Sequence, residues 1–218
     1  MSYYYSNRRS GFLANVPEVT RSIVIINIIV FAGCWLSEHL FHTSVLDRTF
    51  ALWAPGSYMF KIWQPVTYMF MHGGFFHILF NMYTLLMFGS VVEQIIGPRK
   101  YTIFYFACGL GAAALHLAIA KWTGAPNIPM VGASGAIYGV LIAYAMLFPE
   151  SRMTLLFPPV TLSAKWMVAI FAGIELLTGV TGTVEGVAHF AHLGGMVVGF
   201  ILIYYWKKKG ILFDKDRY

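Results

Sequence analysis

The sequence predicts an all-α protein: a polytopic membrane bundle of six transmembrane helices with an embedded first loop. Three observations carry that expectation. Of the 218 residues, 58% are hydrophobic and only 11% are charged, too little charge to cover the apolar surface of a soluble fold. The apolar residues gather in six segments, near 22–36, 77–96, 101–120, 134–148, 164–180 and 188–206. Lysines and arginines flank these segments unevenly, as they do in a chain oriented across a bilayer. The segments are helical because lipid offers no partner for backbone N–H and C=O groups, and they lack the strict alternation of barrel strands. The domain layout expected is a cytoplasmic segment 1–21, a membrane domain 22–206 and a basic cytoplasmic tail 207–218.

Arg8 and Arg9 are followed by polar residues rather than an apolar run, so the N-terminus does not read as a cleavable signal. Together with Arg21 they precede the first helix. Arg99 and Lys100 lie between the second and third helices, and Arg152 and Lys165 between the fourth and fifth. Lys207, Lys208, Lys209, Lys215 and Arg217 follow the sixth. That puts twelve basic residues on one side against Arg48, Lys61 and Lys121 on the other, and both termini in the cytoplasm. The basic pI near 9.3 is explained by this orientation, without nucleic acid. Cys34 and Cys108 lie inside apolar runs and read as small packing residues.

The connection from residue 37 to residue 76 carries Phe41, Phe50, Trp53, Tyr58, Phe60, Trp63, Tyr68 and Phe70. A solvated loop would be more polar. Short amphipathic pieces sunk in the outer leaflet account for it better than an aromatic belt alone.

The second helix carries His77 and Asn81 four residues apart, on one face. The fourth apolar run starts at Ser134 and ends fourteen residues after it, at Phe148, short of the roughly 20 residues that span a bilayer. Its start should lie below the outer surface, where irregular backbone is tolerated only beside a cavity or buried in protein. Tyr138 follows one turn on. The sixth helix opens with His189 and His192, and Glu175 sits inside the fifth. Singly, each polar group has a bland reading as an interhelical hydrogen bond, worth roughly 0.6 kcal/mol. Together they fall near the outer ends of three helices, and intramembrane polar groups are functional candidates. Gly135, Gly139 and Ala143 repeat every four residues, as do Ala191, Gly195 and Gly199. Such stripes let backbones approach closely, which would bring the Ser134 hydroxyl to the His192 imidazole as nucleophile and base. The helix start adds free N–H groups and partial positive charge for a developing oxyanion, with His77 and Asn81 as further donors. Glu175 is expected to lie too deep to reach His192, so the arrangement reads as a Ser–His dyad.

At these residues the sequence resembles the rhomboid family of intramembrane serine proteases. The likeness runs from about residue 63 to residue 199, through "WQPVTYMFMHGGFFHILFNMYTLLMFG", "GASGAIYG" and "AHLGGMVVG". It implies a six-helix bundle of the basic bacterial type, in the inner membrane. It implies catalysis by Ser134 and His192 and an oxyanion hole at His77 and Asn81. Supporting roles fall on Tyr138 against the imidazole, on the motif glycines Gly132 and Gly135, on the packing glycines Gly195 and Gly199, and on His72 as a structural loop histidine. His192, not His189, has glycines three and seven residues later, as the motif requires; His189 is left to water or lipid headgroups. Where the family often has Trp-Arg, this chain has Trp63-Gln64, leaving any fixed role of that arginine in doubt. The implied substrates are transmembrane proteins cut in or near a membrane segment, with membrane lipids as surroundings and with no cofactor, metal or nucleic acid.

Three rivals remain. A metal or haem site could use His72, His77, His189 and His192, but it lacks H-E-x-x-H and any nearby carboxylate ligand, and it leaves Ser134 and Asn81 unexplained. A transporter built around Glu175 would bring paired broken helices in two repeats, which are not seen. A non-catalytic rhomboid-like binding protein would usually have lost the serine or the histidine, and both are present.

Overall fold

A computed structural model of the chain describes residues 15–124, 129–155, 159–181 and 186–213; the side chains of 186–188 fall outside that description. Arg8, Arg9, Lys215 and Arg217 lie outside the described residues. Among the described residues, six apolar helices make up the body: Glu18–Phe41, Phe75–Ile96, Pro98–Thr123, Ser134–Leu147, Ala164–Thr181 and Gly186–Lys208, called the first to sixth helices below. Five are long and apolar enough to cross a membrane, and the fourth, with 14 residues, is shorter. This is an integral multi-pass membrane protein.

The boundaries follow local chemistry. Pro17 precedes the first helix, whose opening Val19 and Thr20 N–H groups donate to the two Glu93 carboxylate oxygens at 3.0 and 2.7 Å. Glu93 is 2% exposed near the C-terminal end of the second helix, so it caps another element rather than its own. Gly97 ends the second helix at φ 81°, and Pro98 starts the third at a position where its missing N–H costs nothing. A π-helical turn at Leu85–Gly89 widens the second helix where it packs on the first and fourth. Among the described residues the strands are confined to one short hairpin, Arg152–Thr154 with Thr161–Ser163, in the connection before the fifth helix.

The fourth helix is the hub, packed by the second, third, fifth and sixth. Its contact with the sixth is backbone to backbone. A Cβ at Gly199 would come within 2.9 Å of the Gly139 Cα, and one at Gly195 would strike the Gly135 carbonyl oxygen. Cys108 of the third helix fills the adjoining space, where a Cβ at Gly139 would sit 2.5 Å from its sulfur. Both cysteines are free and buried, as expected of packing residues.

The first loop is folded rather than merely embedded. It contains a helical turn at Val45–Phe50 and a second at Gln64–Thr67 that runs on as 3-10 helix through Tyr68–Phe70. Gln64 is fully buried: its amide nitrogen donates to the carbonyls of Thr49 (3.2 Å) and Met59 (2.9 Å), and its oxygen accepts from the Trp53 N–H (3.2 Å). The residue that departs from the family pattern therefore pins the loop. Tyr58 and Ile62 remain 85% and 86% exposed, apolar surface suited to lipid.

Candidate active site

Ser134 is placed by the loop that precedes it. Leu52 and Met130 exchange two backbone hydrogen bonds at 2.9 Å, tying the first loop to the segment entering the fourth helix. The Gly132 N–H then donates to the Tyr68 carbonyl at 3.0 Å, while the Tyr68 hydroxyl donates to the Gly109 carbonyl on the third helix at 2.6 Å. Gly132 has φ 122°, and a Cβ there would lie 2.8 Å from His77 Nε2, so both the turn and the space require glycine. Ala133 then opens the helix without any side-chain cap, and the first N–H groups stay uncommitted to a side chain.

Across the glycine contact, Ser134 Oγ lies 2.8 Å from His192 Nε2. Tyr138 stacks on the His192 ring at a centroid separation of 4.3 Å and an interplanar angle of 10°. A cavity of about 30 Å³ opens between Tyr68, Met130, Gly132, Ser134, Gly135 and His192, room for about one or two waters. His77 stands beside Gly132. Asn81 is buried and its amide donates to His72 Nε2 at 2.9 Å, which leaves the second amide hydrogen unspent. The His72 and His77 rings meet edge to face at 5.0 Å. In the loop, outside the spanning segments, burial pushes the His72 imidazole down to about 4, and His77 beside it adds to the shift.

The structure thus brings Ser134, His192, Tyr138, Gly132, Gly135 and His77 to one place, with Asn81 and His72 joined behind it. Gly195 and Gly199 form the contact that allows it.

One expectation is overturned. Glu175 does reach His192: its Oε1 lies 3.0 Å from His192 Nδ1, and Oε2 accepts from His189 Nδ1 at 2.6 Å. The Tyr138 hydroxyl also donates to Oε1. The His192 contact lies off the line of the ring N–H, so it is an electrostatic contact rather than an in-line hydrogen bond. His189 is turned to this carboxylate instead of being left to water or lipid. A signal in the sequence could have shown this. Glu175 stands six residues before Thr181 and His192 six residues after Gly186, so in an antiparallel pair both lie about 9 Å below the turn.

Against the expectation that the histidines have no carboxylate nearby, Glu175, His189 and His192 form, among the described residues, a group whose ligand atoms lie within 4.8 Å of one another. Those same atoms are engaged with each other, and a cation would have to break these contacts to bind.

A family model described as the Rhomboid domain matches residues 59–209. The mouse presenilin-associated rhomboid-like protein, mitochondrial, is 32% identical over 146 residues, covering 64% of this chain and 38% of that protein. RHOMBOID-like protein 4 of Arabidopsis thaliana is 33% identical over 135 residues, 61% of this chain and 31% of its own length. Rhomboid-like protein 11, chloroplastic, from the same plant is 28% identical over 195 residues, 85% of this chain and 64% of its own. The chain spans less than two thirds of the length of these relatives. The matched domain takes in most of the chain, including the first-loop turn at Gln64 and the helices bearing His77, Ser134 and His192, and on that footing the chain belongs to the rhomboid family.

Proposed function

We propose that this protein is an intramembrane serine endopeptidase that hydrolyses peptide bonds in or near transmembrane segments of other membrane proteins. The observation that carries the reading is the 2.8 Å approach of Ser134 Oγ to His192 Nε2 at the start of an apolar helix of 14 residues, shorter than the roughly 20 that span a bilayer. His192 Nε2 takes the hydroxyl proton as Ser134 Oγ bonds to the scissile carbonyl carbon. The oxyanion is met by the Ser134 N–H at the uncapped helix start and by donors from His77 and Asn81, each typically worth ~10²–10³ in rate. His192 then returns the proton to the leaving amine, and a water from the adjoining cavity, deprotonated by the same ring, releases the acyl group. A substrate helix must unwind locally to present its carbonyl here, which favours small or helix-breaking residues at the cleaved bond. His72 orients Asn81, and Gly132, Gly135, Gly195 and Gly199 keep the two helices in register.

The proposed setting is a bacterial cell membrane with both termini cytoplasmic, supported by the basic residues that flank alternate helix ends. No cofactor, metal or nucleic acid enters the chemistry. The test is labelling with a fluorophosphonate in detergent, alongside cleavage of a transmembrane peptide. Wild type is expected to be modified at Ser134, while Ser134→Ala and His192→Ala lose both labelling and cleavage. Cleavage that persists in Ser134→Ala would overturn the proposal.

A further inference from the structure

We infer that Glu175 is a positioning residue of this site: its carboxylate holds His192 in the tautomer that leaves Nε2 bare toward Ser134, and Tyr138 and His189 hold the carboxylate in place. The inference rests on the serine-hydrolase reading above and goes beyond its two-residue chemistry.

A carboxylate 94% buried within a spanning helix is costly unless donors converge on it. Here they come from two other helices. The Tyr138 hydroxyl of the fourth helix donates to Oε1, and the His189 Nδ1–H of the sixth donates to Oε2 at 2.6 Å. The third approach is His192 Nδ1, 3.0 Å from Oε1.

A purely structural cross-link would be indifferent to which atom of the ring faces the carboxylate. The chemistry is not. A neutral imidazole carries one proton. If it sat on Nε2, the ring could not accept the Ser134 proton. Ionised Glu175 is acceptor-only, so it favours the proton on Nδ1. When Nε2 takes the serine proton, the resulting imidazolium faces a negative charge at close range, and the carboxylate need not itself become protonated.

The surrounding groups fit that task. Tyr138 covers one face of the His192 ring and, through its hydroxyl, fixes the Oε1 oxygen beside the ring edge. His189 meets His192 edge to face at 6.4 Å and occupies Oε2, so the carboxylate cannot rotate away from the ring without losing its 2.6 Å bond. Because the contact with His192 is off-line, the effect should be smaller than the ~10⁴ typical of an in-line buried carboxylate.

The experiment uses the full chain in proteoliposomes with a fluorogenic transmembrane peptide, and compares wild type with Glu175→Gln and Glu175→Asp. The Gln variant can turn an amide N–H toward Nδ1 and so favour the wrong tautomer. Its kcat is expected to fall roughly 10–100-fold with KM within about twofold, and fluorophosphonate labelling to slow in proportion. The Asp variant is expected to recover part of the lost kcat. Nitrogen-15 spectra of histidine-labelled protein, with the His192 signal assigned by its loss in His192→Ala, supply a readout independent of activity. Wild type should show the Nδ1–H form, and Glu175→Gln the Nε2–H form. A wild-type His192 protonated at Nε2 would overturn the inference even if the variants fail to fold, and so would unchanged kcat in a folded Glu175→Gln. Either result could stand with Ser134 labelled and cleavage intact, so it is distinguishable from failure of the hydrolase reading, in which Ser134→Ala would still cleave.

Discussion

Gly132 shows how tightly single residues are specified here. Its φ of 122° and the 2.8 Å that a Cβ would leave to His77 Nε2 make two separate demands for glycine. Gly132→Ala is expected to reduce stability by about 1–3 kcal/mol through backbone strain. By pushing His77 aside it should also lower the labelling rate of Ser134 by ~10²-fold, the lower end of the loss typical of one oxyanion donor. Thermal unfolding and labelling kinetics on the same preparation check both effects. His72 makes a pH prediction. Its folded-state value is depressed from 6.5 to about 4, so the unfolded chain binds its proton more tightly than the folded one does. This contribution to stability is intact above about pH 6.5 and declines as pH falls toward about 4. The melting temperature should fall across that window, and less steeply in His72→Gln, as a difference titration of the two proteins would show. Ser134, His192, His77 and Asn81 were legible in the sequence because polar residues are rare in apolar runs. Gln64 was not, because its partners are main-chain groups of Thr49, Trp53 and Met59, and backbone partners leave no pattern in a sequence.

The helices were legible as elements because lipid enforces one solution for their backbones. Their ends were less so. The first helix runs from Glu18 to Phe41, beyond the 22–36 core of its apolar run, because Glu93 extends its start by accepting the N–H groups of Val19 and Thr20. Glu93→Gln would replace one of two acceptor oxygens with a donor facing a donor. A loss of about 1–3 kcal/mol is expected, the desolvation cost of an unmet buried group. It should be visible in thermal unfolding in detergent, with cleavage per folded molecule unchanged, since Glu93 lies at the opposite end of the bundle from Ser134. The paired glycine stripes of the fourth and sixth helices could be read from their four-residue repeat, and the close packing of Gly139 with Gly199 is their realisation. Short pieces in the first loop were expected from its aromatic content, but which residues are helical could not be read, since these pieces are only four to six residues long and carry no period.

For the whole molecule, the asymmetry of basic residues predicts the orientation proposed above, with both ends cytoplasmic. Fusions of a reporter that fluoresces only in the cytoplasm should be bright at both ends of the chain, and fusions of a phosphatase that works only outside should be silent. A phosphatase active at either end would reverse the topology and put the entrance to Ser134 on the wrong face. By itself the sequence determined what the bilayer and short-range pattern dictate: six helices, the glycine seam and the pairing of Ser134 with His192 across it. Only the tertiary structure decided that Glu175 faces the two histidines. That outcome depends on the rotation of the fifth helix about its own axis relative to the fourth and sixth. An apolar helix in lipid carries almost no polar stripe to fix that rotation in advance, so it is set by packing against its neighbours.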